Sequence, residues 1–443
     1  MVRISPVSRK RLKRGLGITF TMKLLFLVLD GAADRPNERG ETPLSMAKKP
    51  NLDSLSVKGA LGFHYPLGVG RAPESDAAVL SILGYDPDKY YTGRGPLEAL
   101  GVGYSIREGV EVAFRANFAT IDPESRVIID RRVGRSLESW EARELAKAVD
   151  GMELGGGLGY ARVIATIGHR AVVVIGVKSG RLSGDVTNND PAYARVGKVS
   201  VAVPNPDKML AQVRPLNPQD EAASLTARLA NEFVDKAINI LKDHPINRER
   251  AGKGKLQANV ILIRDAGDSL PKVTPINQLY GLKFGAVAEM PVERGIARAL
   301  GMDVEEVKLY DAPKDEVLGE RFEATMKLLD RVDVAYVHLK GPDEPGHDGD
   351  LNGKIKAIED IDAYYVAKLV RENWDESLLV TSDHATPWML KAHSDDPVPI
   401  MLKSSRVKAD GLTLSEVNAA KGSLGKFEYG WLIMRRVREM VFD

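Results

Sequence analysis

Cysteine is absent from all 443 residues. This rules out disulfides, thiolate nucleophiles and sulfur-ligated metals, and leaves imidazole and carboxylate as the strong metal ligands on offer. An excess of one charge is missing too: 62 lysines and arginines meet 61 aspartates and glutamates, so no global field recruits nucleic acid or an anionic membrane. No apolar run is long enough to cross a bilayer. The run Leu24 to Leu29, behind Met22 and Lys23, is far too short and ends in Asp30-Gly31 as a buried strand would. The basic stretch Met1 to Thr21 has no continuous apolar segment of the secretory kind; it reads as a disordered extension, with Met22 as the natural start and the cytoplasm as the location. The hydrophobic share of 44% suffices for two cores in a chain of this length. The expectation is a two-domain soluble protein that would have to catch any charged partner locally, without nucleic acid or membrane; its oligomeric state is unreadable.

Three short apolar runs each give way to a turn rich in acids or histidine: Leu24 to Leu29 before Asp30, Val334 to Leu339 before Asp343, and Leu378 to Thr381 before Asp383. Buried parallel strands that deliver ligands at their C-terminal ends have this pattern. Helical periodicity over Ser136 to Val149, Glu221 to Lys242, Pro291 to Leu300, Lys314 to Leu329 and Lys354 to Glu372 completes an α/β alternation. The strands before Asp30 and Asp343 lie roughly 300 residues apart, far beyond a crossover between neighbours, so something is inserted. The insert has strands of its own at Val110 to Thr120, Ala161 to Thr166, Ala171 to Val177 and Ala258 to Ile263. The reading is a core at 22–104 and 284–443, and an inserted domain at 105–283. Glycines at Gly101 to Gly103 and Gly281 to Gly285 suit hinge linkers.

The densest chemistry is Lys340-Gly-Pro-Asp343-Glu-Pro-Gly-His347-Asp-Gly-Asp350, followed by Ser382-Asp383-His384-Ala-Thr386-Pro387 and His393-Ser394-Asp395-Asp396. Asp343, His347, Asp383, His384 and His393 are oxygen and imidazole donors in loops after strands, and adjacent Asp383 and His384 could serve one ion or two. Among the other histidines, His338 reads as a packed core residue and His64 as a surface group. His169 beside Arg170 suits anion contact or a structural role equally. The stretch Ala72 to Gly84 reads as a helix with Ser75 at or near its N-cap and Gly84 just past its end. A phosphate on Ser75 would face free backbone N–H groups.

These motifs resemble the archaeal type of cofactor-independent phosphoglycerate mutase, within the alkaline phosphatase superfamily. The resemblance rests on Leu29-Asp30-Gly31-Ala-Ala-Asp34-Arg35-Pro36, Thr42-Pro43-Leu44, Pro50-Asn51-Leu52-Asp53, Ser75-Asp76 with Leu83-Gly84-Tyr85-Asp86-Pro87, Thr92-Gly93-Arg94-Gly95-Pro96, the Lys340 to Gly349 run and Ser382 to Pro387, in that order. It implies an alkaline-phosphatase-like α/β core with a mainly parallel sheet flanked by helices, and an inserted α/β (α+β) substrate-binding domain. One divalent ion would be held by Asp343, His347 and His393, the other by Asp30, Ser75, Asp383 and His384. Manganese is favoured, with magnesium, cobalt and zinc as alternatives, and bisphosphoglycerate is not required.

The implied reaction interconverts 3-phosphoglycerate and 2-phosphoglycerate: Ser75 takes the phosphoryl group, glycerate turns, and its other hydroxyl takes the group back. The alternative is a phosphatase or mutase for another phosphorylated metabolite. The resemblance further implies an insert that closes over the core with Arg115, Asn117, Arg135, Arg170 and Arg264 as substrate-binding groups, and Asp190 as the group that activates the glycerate hydroxyl. This chain departs from the family pattern at Glu74 and Asp265, where glycine is usual, and at Ala192, where histidine is usual.

Overall fold

The computed structural model describes residues 22–203, 205–308 and 312–443; the basic stretch 1–21 lies outside the described residues. The chain divides into two compact units. Of the described residues, the first comprises those from 22 to Tyr90 with Val273–Glu289 and Leu300–Asp443, and the second comprises Tyr91–Lys272 with Met290–Ala299.

The first unit is built on an eight-stranded sheet in the order Asp303–Glu305, Phe284–Ala288, Val334–Leu339, Leu24–Leu29, Ser377–Thr381, Val398–Lys403, Ala60–His64, Gly425–Phe427. The strand Leu24–Leu29 is buried along all six residues because both of its faces are covered, which is why it reads as an unbroken apolar run. It pairs in parallel with Val334–Leu339 and Ser377–Thr381. Among the described strands of this sheet, only the two pairings of Val398–Lys403 are antiparallel. The core includes Leu25, Leu27, Val337, Leu339, Leu378 and Val380 on the strands, met by Phe322, Leu328 and Tyr365 from helices. The register aligns Val28 with both His338 and Thr381, so the three strands end together and release Asp30, Lys340 and Ser382 at one edge. His64 is fully buried in its strand, not a surface group: its Nε2 lies 2.9 Å from Thr381 Oγ1.

The second unit holds an antiparallel sheet in the order Val260–Gly267, Glu111–Ile121, Arg170–Val177, Gly159–Ala165, Glu153–Leu154. With its strands antiparallel, the insert is α+β. The helix Glu221–Leu241 is capped by the Asp220 side chain, which accepts from Ala223 N. It buries Ala223, Ala227, Ala230, Phe233, Val234, Ala237 and Leu241, one face at three- and four-residue spacing.

This unit also takes in residues 91–104 and the helix Pro291–Ala299, both of which the sequence reading placed with the core. The physical reason is a glycine contact. A Cβ on Gly101 would sit 1.7 Å from Pro291 O, and one on Gly295 would sit 1.8 Å from Leu97 O, so the helices Arg94–Gly101 and Pro291–Ala299 touch backbone to backbone. Gly101, expected as a hinge, is a packing residue instead. No helix among the described residues is long and apolar enough to cross a membrane.

Candidate metal centre

Asp30, Ser75, Asp343, His347, Asp383, His384 and His393 come from four distant stretches of the first unit and meet at the C-terminal ends of its parallel strands. Gly31 makes the approach possible: it adopts φ of +60°, and a Cβ there would lie 2.7 Å from Thr386 Oγ1 and 2.8 Å from Asp343 Oδ1.

Ser75 is the first residue of the helix Ser75–Ile82, after an N-cap at Glu74 that makes no side-chain capping bond. Its Oγ lies 3.1 Å from His384 Nε2. Proton bookkeeping fixes that imidazole. The Thr386 hydroxyl donates its single hydrogen to Asp343 Oδ1 at 2.8 Å, so its 3.0 Å contact with His384 Nδ1 must be donated by the ring. The lone pair of His384 Nε2 is therefore left to face Ser75. Burial and the neighbouring His393 hold His384 well below the ordinary histidine range, which keeps that lone pair free.

Around the same nitrogen stand two carboxylates. His384 Nε2 is 3.3 Å from Asp383 Oδ2 and 3.7 Å from Asp30 Oδ1. Asp383 Oδ1 is occupied by the N–H groups of Gly31 and His384 at 3.0 and 3.1 Å, which turns Oδ2 inward. Asp383 Oδ2 and Asp30 Oδ1 are buried and accept no hydrogen bond. Burial and the Asp30 charge push Asp383 up to about 7. Burial would raise Asp30 as well, but the Lys340 ammonium, 2.9 Å from Asp30 Oδ2, opposes it, and Asp30 is held low. Two inward carboxylate oxygens without donors form a site for a cation.

Asp343 anchors the other cluster. Its Oδ1 is 3.4 Å from both His347 Nε2 and His393 Nε2, and these two nitrogens are 3.1 Å apart. The far nitrogen of each ring faces a backbone carbonyl: His347 Nδ1 donates to Lys391 O at 3.2 Å and His393 Nδ1 to Pro73 O at 2.7 Å. Two lone pairs are thus turned toward each other and a carboxylate, an arrangement that needs a proton or a metal ion between them. Burial opposes a proton on His393, yet the Asp343 hydrogen bond and the charge of Glu74 carry it up to about 9. Glu74, where glycine was expected, thus adds negative charge at the His393 side. The donor sets of both clusters, all oxygen and imidazole, fit divalent cations.

Sequence reasoning missed His338. It is buried in its strand, as expected, but its Nε2 lies 3.5 Å from Asp30 Oδ1 and 3.7 Å from Asp383 Oδ2, which puts it in the carboxylate cluster. The available signal was alternation: Tyr336, His338 and Lys340 fall on one face of a strand, three polar side chains in an otherwise apolar run.

In the second unit, Asp190 is fully buried and paired with Arg131 and with Arg264, at 3.0 Å in the latter case. Both guanidinium groups lie over the Tyr193 ring, at 5.1 and 4.4 Å. The Asp190 carboxylate, expected as the group that activates the glycerate hydroxyl, is thus held between two guanidinium groups, which it fixes in place. Asn117 joins through its Oδ1, 3.1 Å from Arg264 Nη1. Arg115 pairs across the sheet with Arg264, and Asn117 with Arg170. Burial, with Arg94 and Arg264 nearby, lowers Arg115 to about 10. Burial and four arginines, Arg170 foremost, lower His169 to about 3. Such a crowd of cations suits an anion. Arg135 is exposed at the end of the turn Val133–Arg135, and it is Arg131 that pairs with Asp190. Asp265 has φ of +57° at a bulge in the strand Val260–Gly267, the left-handed conformation that glycine adopts without strain.

The family model described as 2,3-bisphosphoglycerate-independent phosphoglycerate mutase matches residues 57–247. The chain is 48% identical to a protein of that name from Aeropyrum pernix, over 95% of this chain and 100% of that one. It is 42% identical to one from Methanopyrus kandleri, over 91% and 93%. Among solved structures, a Pyrococcus horikoshii protein matches with TM-score 0.72 at 28% identity, covering 95% of this chain and 98% of that one. The cofactor-independent phosphoglycerate mutase of Thermoplasma acidophilum matches with TM-score 0.59 at 32% identity, covering 94% and 99%.

Proposed function

The chain belongs to the 2,3-bisphosphoglycerate-independent phosphoglycerate mutases, and from that premise we propose that it interconverts 3-phosphoglycerate and 2-phosphoglycerate through a phosphoserine formed on Ser75. The observation that carries this reading is the Ser75 hydroxyl set 3.1 Å from His384 Nε2, beside two clusters of oxygen and imidazole donors. Ser75 attacks the phosphorus in line, the bond to the glycerate oxygen breaks, and the phosphoryl group is held on Ser75 at the N-terminus of its helix. The reverse attack by the other glycerate hydroxyl regenerates free Ser75.

Two divalent ions, manganese foremost, would be held by Asp343, His347 and His393 and by Asp30, Ser75, Asp383 and His384; when bound they neutralise the phosphoryl oxygens and lower the serine pKa. Lys340 stays on Asp30 and offsets its charge. In the second unit Arg115, Arg264 and Asn117, with Arg170, supply the grip on the acid groups of the substrate, and Asp190 keeps Arg264 and Arg131 aimed. A cytoplasmic location and a single small-molecule substrate belong to the same proposal.

A coupled enolase assay on metal-stripped protein, with each ion restored in turn, tests it. Activity returns in the wild type and not in Ser75→Ala. Release of free phosphate without 2-phosphoglycerate would replace the mutase by a phosphatase.

A further inference from the structure

We infer that His338 is a direct ligand, through Nε2, of the ion held between Asp30 and Asp383. The inference deepens the metal-centre reading above and rests on it. An ion bonded at about 2.1 Å to two neighbouring donors spaces them about 3.0 Å apart at a right angle and about 3.4 Å apart at the tetrahedral angle. The spacings around the carboxylate pair follow that pattern: His338 Nε2 stands 3.5 and 3.7 Å from Asp30 Oδ1 and Asp383 Oδ2, and His384 Nε2 stands 3.7 and 3.3 Å from the same two atoms. The facing atoms of Asp30, His338 and Asp383 all lie within 4.8 Å of one another, and all three residues are buried. Ordinary N–H···O bonds are shorter than these separations, whereas a shared cation spans them.

The other side of the ring is fixed as a ligating histidine requires. Tyr336 Oη is 2.8 Å from His338 Nδ1; with Nδ1–H donating to the phenol oxygen, the Nε2 lone pair is turned to the carboxylates. Tyr336 is itself immobilised, buried and packed edge-on to Phe26 with centroids 5.4 Å apart. Tyr336 is therefore a positioning residue for this ligand, and His338 joins Asp30, Ser75, Asp383 and His384 around this ion.

Equilibrium dialysis of metal-stripped protein against Mn²⁺ and a crystal structure of the Mn²⁺-loaded wild type test this. The wild type is expected to bind two ions, with one of them within about 2.4 Å of His338 Nε2. His338→Gln should weaken one of the two affinities by about 10- to 100-fold and leave the other, and Tyr336→Phe should weaken the same one less. Two ions bound with the nearer one more than about 3 Å from His338 Nε2 overturn the inference and leave the metal-centre reading standing. No ion found between Asp30 and Asp383 overturns both. The wild-type crystal structure decides the matter even if His338→Gln does not fold.

Discussion

Beneath the metal centre a fully buried lysine ties its loops together, and removing it should cost several kcal/mol. Lys354 Nζ donates to Ala33 O at 3.0 Å, to Asp34 Oδ2 at 2.7 Å and to Thr386 O at 2.7 Å, using all three of its hydrogens. Asp34 is 2% exposed, and among the described residues its carboxylate accepts, apart from this ammonium, only from the backbone N–H groups of Arg35 and Trp388. Lys354→Met nearly preserves the volume, so the loss is electrical: a buried carboxylate is left without its cation, which costs about 3–5 kcal/mol. Urea unfolding followed by tryptophan fluorescence reads it directly, since Trp388 N is bonded to Asp34. The cycle with Asp34→Asn supplies the decisive comparison. In Lys354→Met/Asp34→Asn the stranded charge is gone, so the double variant should regain at least about 1.5 kcal/mol relative to the sum of the singles. A single-variant loss under about 1 kcal/mol, or strict additivity in the cycle, would refute the reasoning. The same change frees Thr386, whose hydroxyl holds Asp343 and His384, so ion affinity should fall with stability.

Acid should expose His64. Burial lowers it to about 3 from an ordinary 6.5, so below pH 6.5 the unfolded chain takes up a proton that the folded chain refuses, and stability falls as pH drops toward 3. Replacing His64 by Gln should flatten the unfolding free energy between pH 4 and 6 by about 1.4 kcal/mol per pH unit; an unchanged slope would contradict the burial argument. Gly295→Ala drives a Cβ to 1.8 Å from Leu97 O, a backbone atom that no rotamer change can move. A loss of about 3 kcal/mol in the second unit is expected by differential scanning calorimetry, and a thermally neutral variant would show that the two helices separate easily.

The three strands that end at Asp30, Lys340 and Ser382 were legible because burial on both faces writes an uninterrupted apolar run, and the acids after them mark where the run meets function. The helix at Ser75 was legible from its boundary residues. His338 was not, because a histidine inside an apolar run looks like packing until cross-strand register sets it opposite Val28, two residues before Asp30. The pairing of Asp190 with Arg131, across 59 residues, was equally invisible, since no local pattern selects one arginine among Arg131, Arg132 and Arg135. The helix Pro291–Ala299 was misplaced because adjacency along the chain suggested the sheet on either side of it, whereas two glycines far apart in sequence decide where it docks.

That docking makes the inserted unit a two-piece object. A fragment cut at Lys272 would leave Leu97 and Gly101 bare of the segment that should cover them, and would be prone to stick to other exposed apolar surfaces. On the ribosome, too, this unit cannot be finished until Ala299 has emerged, by which time the strand Phe284–Ala288 of the other unit is already outside. Any attempt to transplant the second unit into another protein would have to carry residues 290–299 with it, joined through a new linker.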